Sequence, residues 1–307
     1  MLMKLFNNWN HYGYLFVLPF FLLLLSFTIL PILFTFGISF ARWDHFTDFS
    51  FVGFENYKDV LTGTLFYKSL FNTLLIMAIF LPVNIGLAVG MAYILNEKLV
   101  RGASALKIVY FLPYITTPVA VGVFFGLLFN YQTGFINLLL DSIGWLKEPV
   151  YWLSKPVYAV LIVSLIMIWK YMGYNMVLFL AGLQTIPKEV YEAAEIDGAG
   201  VFSRFRHIAL PMLRPITLFV VITSLIGGLQ IFDEPVMLFV GTDNYNSIAS
   251  TLGGPQRSVY TLVSYVYEEG FILFRTGRSA AVAYLMTIII VAMTFVSFKW
   301  MNRRGAA

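Results

Sequence analysis

The sequence predicts an all-α integral membrane protein with six transmembrane helices. Hydrophobic residues make up 59% of the 307 residues and charged residues only 12%, whereas charged residues are roughly 25% of a soluble domain. Six long stretches are nearly free of ionisable side chains, and roughly 20 apolar residues are needed to cross a bilayer as a helix. Strand-like alternation is absent from these stretches, which argues against a barrel.

The six stretches form one transmembrane domain that occupies residues 1–307. The first stretch has no cleavage site typical of a signal peptide, so we expect it to be kept as an anchor. Pro113 and Pro118 flank two threonines in the third stretch and predict a kink, which either lines a pore or is purely structural. The spans are expected at about 14–40, 69–96, 108–130, 157–183, 215–233 and 279–299.

Basic residues cluster in the segments on one side of the predicted membrane. With six spans both termini share a side, and the positive-inside rule places that side in the cytosol. Residues 184–214 then form a cytosolic loop and residues 234–278 an extracellular loop. The basic residues on the cytosolic side are Lys4, Lys98, Arg101, Lys107, Lys188, Arg204, Arg206, Arg214, Lys299, Arg303 and Arg304.

Several catalytic chemistries are excluded by composition. The chain has no Cys, so it forms no disulfide, thiolate metal site or cysteine nucleophile. His11, His45 and His207 lie far apart in sequence and outside the spans, so we expect neither a metal cluster nor an intramembrane hydrolase. No G-x-x-x-x-G-K-[ST] phosphate loop is present. We therefore expect no catalytic residue and no metal site.

Residues 184–214 predict a compact helix-turn-helix on the cytosolic side. Glu189 in the first helical turn complements the helix dipole, and Gly198 ends that helix in a tight turn. The residues alone leave two interpretations open. The loop is either a docking element for another protein or a solvated loop whose acids pair with Arg204 and Arg206.

The same loop carries a recognisable motif. Glu192-Ala193-Ala194, three residues, Gly198, nine residues, Ile208, one residue and Leu210-Pro211 resembles the EAA motif of binding-protein-dependent ABC importer permeases. The inner run Ile196-Asp197-Gly198-Ala199 is similar to the carbohydrate-uptake branch, which is related to the maltose importer permeases. The resemblance covers most of the chain and is closest to compact six-span members.

The resemblance implies a division of labour in a bacterial cytoplasmic (inner) membrane. A second homologous permease subunit completes the path, two cytosolic ATPase subunits bind ATP and Mg, and an extracellular sugar-binding protein delivers the sugar substrate. This chain would hold no cofactor and bind no nucleic acid. Glu192 would contact the ATPase, and Gly198 would form the turn. The implied ATPase-coupling residues are Glu192, Ala193, Ala194, Gly198, Ile208 and Pro211.

Substrate contacts are predicted from polar and aromatic residues at membrane depth. Lys170 lies near the midplane, where a lysine has to face a cavity or an acid. It therefore either orders the path or pairs with Asp233 or Glu234. An amide inside a span more often holds helices together than binds a ligand. The path candidates are Trp169, Lys170, Asn175, Gln230, Phe232 and Asp233, with Asn72 and Asn84 as second choices.

The expected function is that of a permease subunit of an ATP-driven importer for a sugar or oligosaccharide. The alternative is an ion-coupled secondary transporter of small polar solutes, which would need ion-coupling carboxylates at the midplane and repeated halves. The spans are nearly free of acids, with Asp233 and Glu234 only at an end. Segment 235–252 is longer than the corresponding connection in the family and either contacts the binding protein or is an inserted loop.

Overall fold

The computed structural model describes residues 10–43, 49–97, 100, 102–145, 148–240 and 252–303. These residues are almost entirely helical, as predicted. The helices are α1 (Asn10–Leu24), α2 (Leu30–Ser39), α3 (Glu55–Thr62), α4 (Thr64–Asn96), α5 (Ala103–Ile115), α6 (Pro118–Leu128), α7 (Phe135–Ser142), α8 (Pro156–Leu183), α9 (Lys188–Ile196), α10 (Val201–Arg204), α11 (Leu210–Met212), α12 (Arg214–Leu229), α13 (Asp233–Phe239), α14 (Leu262–Tyr267) and α15 (Thr276–Arg303).

Short irregular elements join several helices. Two strands, β1 (Ala41–Arg42) and β2 (Ser50–Phe51), pair antiparallel with Ala41 opposite Phe51. The π-helical turns are Leu25–Ile29, Phe205–Ala209 and Glu268–Ile272, and a 3₁₀ turn covers Pro255–Arg257. Lys4, His45, Lys98, Arg101 and Arg304 lie outside the described residues, as do positions 241–251 of segment 235–252.

Four of the described helices are long and apolar enough to cross a membrane. They are Gly13–Ser39, Thr64–Asn96, Pro156–Leu183 and Thr276–Trp300. Two further candidates are bent pairs: Ala103–Ile115 with Pro118–Leu128, bent by 98°, and Val201–Met212 with Arg214–Leu229, bent by 68°. Several apolar helices of this length make the chain a multi-pass membrane protein.

The third predicted span, 108–130, is not one straight helix. The predicted kink is confirmed, because α5 ends at Ile115 and α6 starts at Pro118, turned by 98°. Thr116 and Thr117 are both extended, with ψ of 138° and 142°. A residue that precedes proline is pushed out of the helical region, so Pro118 fixes the break at Thr117. Pro118 then suits the first turn of the new helix.

The fifth predicted span, 215–233, ends earlier than predicted. Helix α12 stops at Leu229, and α13 starts at Asp233 after Phe232, whose φ of −145° and ψ of −53° lie outside the helical region. Gly227 and Gly228 lie in the last turn of α12, and glycine weakens a helix because it loses more conformational entropy on ordering than other residues do. Phe232 and Asp233 therefore belong to the break and the following helix.

The predicted extracellular loop, 234–278, is partly helical. Helices α13 and α14 lie within it and bury Val236, Leu238 and Phe239 on the first and Leu262 and Tyr265 on the second. These apolar side chains supply a core face that a solvated loop would lack.

Helices α4 and α8 pack along each other and carry the core. One buried cluster joins Phe80 of α4 to Ile166 of α8 and Leu238 of α13, and a second joins Ala92 to Phe179. By contrast, Gly13–Ser39 lies outside this core: its most apolar window has 0% of its residues buried. This helix touches α15, where Phe36 packs edge-on against Tyr284 with ring centroids 5.1 Å apart.

Candidate functional site

A cavity of about 240 Å³ lies between α4, α5, α8 and α12, next to the C-terminal end of α12. Side chains of α8 reach it because Tyr171, Tyr174 and Asn175 share one face at spacings of three and four residues. The lining residues are Phe80, Tyr114, Met167, Tyr171, Tyr174, Asn175, Thr223, Ser224, Gly227 and Gly228.

Three tyrosines form an aromatic wall. The rings of Tyr114 and Tyr174 are stacked, with centroids 4.5 Å apart and an interplanar angle of 15°. Tyr171 meets Tyr114 edge-on at 5.9 Å. Rings in this arrangement offer flat apolar surface beside hydroxyl groups. Such a wall suits a ligand that carries both C–H faces and hydroxyls.

Polar groups of α8 and α12 complete the lining of the cavity. Asn175 Nδ2 donates to Asn84 Oδ1 at 2.6 Å and to Ser224 Oγ at 3.4 Å. Asn84 Nδ2 in turn donates to the backbone oxygen of Ile168 at 3.1 Å. These bonds use the amide donors of Asn175 and leave its Oδ1 as an acceptor at the cavity. A few convergent polar groups in a mostly apolar pocket are typical of small-molecule sites.

A buried ion pair lies next to the aromatic wall. Lys170 Nζ and Glu234 Oε1 are 2.7 Å apart, and their side chains are 8% and 5% exposed. The hydroxyl of Tyr171 donates to the same Glu234 oxygen at 3.2 Å. Of the two predicted acidic partners, Lys170 therefore takes Glu234, while Asp233 is exposed. The pair is neutral as a whole and orients a ring that lines the cavity.

The structure brings one predicted path residue to the cavity wall and leaves five away from it. Asn175 lines the cavity, and Lys170 acts on it through Glu234 and Tyr171. Asn72 is elsewhere, since its Nδ2 donates to the backbone oxygens of Arg257 and Tyr260. Trp169 packs on Phe125, and Phe232 packs on Tyr267. The last two, Gln230 and Asp233, are exposed.

Sequence reasoning missed most of the lining. Tyr114, Tyr171 and Tyr174 were not distinguished from the many aromatic residues of the chain, which has 18 tyrosines. Thr223 and Ser224 of α12 were also missed. A usable signal existed on α8, where Tyr171, Tyr174 and Asn175 form a polar stripe on an otherwise apolar helix.

The second candidate site is the hairpin formed by residues 188–211. No residue of α9 is buried, and Glu192 is exposed. Within the described part of the chain, the Glu192 carboxylate has no ion-pair partner. Gly198 has φ of +77°, a backbone conformation that glycine adopts without strain, so it makes the turn after α9. The hairpin thus presents an exposed helix on which the Glu192 carboxylate is accessible to a partner.

The base of the hairpin is fixed to the membrane helices. Ile208 packs against the buried cluster of α4, α8 and α12. Arg204 pairs with Glu195 at 2.9 Å and with Glu97 at 3.2 Å. The pairing that the solvated-loop interpretation predicted is thus present for Arg204, while Glu192 stays available for docking. Burial, and then the charge of Glu97, raise the pKa of Tyr191 above its usual value.

Among the described residues, no group of three or more His, Asp or Glu side chains has the arrangement of a metal site. Comparison with known proteins gives the family context. Residues 104–304 match the family model described as "Binding-protein-dependent transport system inner membrane component".

Similar proteins cover nearly the whole chain. It is 36% identical to the arabinooligosaccharides transport system permease protein AraP of Bacillus subtilis. The matched region of 287 residues covers 93% of this chain and 87% of AraP. It is 33% identical over 287 residues to the lactose transport system permease protein LacF of Rhizobium radiobacter, with 93% and 92% covered. A chain of a bacterial ABC transporter involved in the import of alginate has the same fold, with a TM-score of 0.80, 21% identity and 96% of both chains covered.

Proposed function

This chain belongs to the family of binding-protein-dependent transport system inner membrane components, and we propose that it is the permease subunit of an ATP-driven importer of a sugar or oligosaccharide. Alternating access moves the substrate through the cavity between α4, α5, α8 and α12. The single observation that carries the substrate class is the wall of stacked tyrosines in a cavity whose lining also contains amide and hydroxyl groups.

The cavity chemistry fits a sugar. The ring faces of Tyr114 and Tyr174 offer flat contact to the C–H faces of a pyranose or furanose. Asn175, Thr223 and Ser224 offer hydrogen-bond donors and acceptors to its hydroxyls. The relatives named for arabinooligosaccharides and lactose support the same class. The chain itself would perform no covalent chemistry.

Partner subunits supply the energy and the substrate in this proposal. Two ATPase subunits bind ATP and Mg below the membrane and dock on Glu192, a second permease completes the path, and an extracellular protein delivers the sugar. The family description supports dependence on a binding protein. Arg206, Arg214 and Lys299 support the orientation in which the hairpin and both termini face the cytosol.

An ion-coupled carrier fits these residues less well. Such a carrier needs a carboxylate at depth that is free to take up a cation or proton. Glu234 is the buried acid closest to the cavity, and Lys170 and Tyr171 already hold it. Its charge is therefore matched inside the protein.

Proteoliposomes that contain the whole importer test the function. Vesicles loaded with ATP and Mg, with the binding protein and radiolabelled sugars such as lactose or an arabino-oligosaccharide outside, should accumulate sugar. Vesicles without ATP but with a sodium or proton gradient should not. Uptake that follows the ion gradient and ignores ATP would refute the proposal.

One substitution tests the cavity itself. Asn175→Ala removes an acceptor that contacts substrate, so the KM for sugar should rise about 2- to 12-fold, the equivalent of one hydrogen bond, with kcat nearly unchanged. Gln230→Ala, at a predicted path residue outside the cavity, is the comparison. Equal KM values for both variants and the wild type would remove Asn175 from the sugar site.

A further inference from the structure

We propose that Arg204 fastens the hairpin to α4, so that the hairpin and the inner end of α4 move as one body when the ATPase moves the hairpin. The inference rests on the proposed function and adds the contact through which motion reaches a helix that is not adjacent to the hairpin in sequence.

The fastening contact is a three-residue charge cluster. Arg204 Nη1 is 2.9 Å from Glu195 Oε1 of α9, and Nη2 is 3.2 Å from Glu97 Oε2 at the end of α4. The side chains of Arg204 and Glu97 are only 10% and 14% exposed. Low exposure strengthens the attraction between unlike charges, and the planar guanidinium can bind two carboxylates at once. One side chain therefore joins two helices that are far apart in sequence.

Among the described residues, no other polar group bonds to the guanidinium of Arg204. Its Nε is buried and has no hydrogen-bond acceptor among the described residues. Its ion-pair partners in the described part of the chain are these two carboxylates, so its position depends on both helices.

A second contact joins the same surfaces one turn away on α4. The hydroxyl of Tyr93 donates to the backbone oxygen of Val201 at 2.9 Å, and the Tyr93 ring packs against Phe205 with centroids 4.8 Å apart. Tyr93 and Glu97 lie four residues apart and so share a face of α4. Together, Tyr93 and Glu97 contact both ends of α10 and the first residue of the π-helical turn that follows it.

These contacts matter because α4 is also one of the helices around the cavity. Asn84 and Phe80 of α4 lie 13 and 17 residues from Glu97, about 20 to 26 Å along a helix at about 1.5 Å per residue. Asn84 accepts the hydrogen bond of Asn175, and Phe80 lines the cavity. The chain connects the hairpin directly to α8 and α12, and Arg204 adds α4. Three of the four helices around the cavity then respond to one movement.

Spin labels on the assembled importer test the fastening. This chain has no Cys, so Ile94→Cys on α4 and Ile196→Cys on the hairpin are its only labelling sites. Both positions are exposed, at 36% and 87%. The distance between the labels is measured by pulsed electron paramagnetic resonance without nucleotide and with ATP and vanadate, in complexes that retain the ATPase. The two distances should be the same if the segments move together.

The neutral double variant Glu97→Gln with Arg204→Met removes the cluster without leaving a buried charge unpaired. With this variant the label distance should change on nucleotide trapping, and sugar moved per ATP hydrolysed should fall about 2- to 30-fold. The matched control is Arg42→Met with Glu55→Gln, which removes an exposed ion pair of 2.6 Å at the other end of the molecule. This control should behave as the wild type.

Two results would overturn the inference. One is a label distance that changes on nucleotide trapping in the chain that keeps Glu97 and Arg204. This result does not depend on whether the double variant folds. The other is a double variant with an unchanged distance and unchanged coupling. A wild-type chain that never retains an ATPase would instead refute the proposed function.

Discussion

At the scale of single residues, Lys170 shows how a charge is accommodated at membrane depth. Lys170 and Glu234 are 2.7 Å apart, and both side chains are nearly fully buried. A buried pair contributes little net stability compared with apolar residues, but removing one partner leaves the other charged in a poor solvent. The pair therefore fixes α8 against α13 and holds Tyr171 at the cavity wall.

Lys170→Met is expected to destabilise the protein by roughly 3–5 kcal/mol, because Glu234 would stay buried without its counter-charge. The double variant Lys170→Met with Glu234→Gln should regain most of that loss. Thermal unfolding of the purified chain in detergent measures both. A single variant as stable as the wild type would contradict the structural role of the pair.

Glu269 predicts a pH dependence at the other side of the protein. Its side chain is 3% exposed, with Arg278 at 3.6 Å and Arg275 at 4.0 Å. Burial raises the pKa of Glu269 above 4.5, against the lowering effect of the two arginines. The folded state therefore holds this proton more tightly than the unfolded state does, so stability falls as pH rises from about 4.5 through the raised pKa.

Glu269→Gln cannot ionise, so unfolding measured across this pH window should lose that slope. Glu189→Gln, at an exposed position of α9, is the control and should keep it. The same slope in Glu269→Gln and the wild type would assign the dependence to other groups.

The residues of the cavity could be predicted only in part. The sequence identified Lys170 as a residue that needs a partner, because a lone lysine in an apolar span is costly. The choice between Asp233 and Glu234 could not be made, because it depends on where α13 starts. Asn175 was identified by its chemistry, whereas Tyr114 and Tyr174 form a wall only after α5 and α8 cross.

At the scale of helices, one glycine sets the crossing of α5 and α8. A Cβ added at Gly173 would lie 1.8 Å from the backbone oxygen of Tyr110. Gly122 of α6 is packed equally closely, since a Cβ there would lie 2.3 Å from the backbone oxygen of Met237. For Gly86 and Gly90 of α4, no described atom lies within 4 Å of an added Cβ, so neither glycine is closely packed against a described residue.

This contrast predicts opposite effects of one substitution. Gly173→Ala should destabilise the protein, since backbone atoms of α5 have to move to admit the methyl group. Gly86→Ala should stabilise it by about 1 kcal/mol, because alanine favours a helix over glycine. Chemical unfolding of the two variants measures the difference, and equal stabilities would contradict the close crossing at Gly173.

Hydropathy predicted the long helices and not the breaks between them. An apolar run such as Thr64–Asn96 is recognisable by length alone. The end of α12 at Leu229 depends on Gly227 and Gly228, which the hydropathy pattern treats as neutral. Helices α13 and α14 have seven and six residues, too short for a membrane-length window, and owe their form to packing.

At the scale of the whole molecule, a cavity and a hairpin are joined by α4 and α8. The cavity could not be predicted from the sequence, because its lining depends on the angles at which the helices cross. The hairpin within residues 184–214 and its turn at Gly198 were predicted, because a local sequence pattern encodes both. The base of the hairpin at Glu97 was not predicted, since it depends on a contact between distant segments.

Crosslinking from the hairpin tests most directly whether the ATPase acts on this chain through Glu192. Glu192→Cys in the assembled importer, with Asp141→Cys at the far end of the molecule as the control, places one reactive thiol in this otherwise Cys-free chain. A short thiol–amine crosslinker should join Glu192→Cys, and not Asp141→Cys, to the ATPase subunit. An importer that transports sugar normally while Glu192→Cys never captures an ATPase would contradict the account.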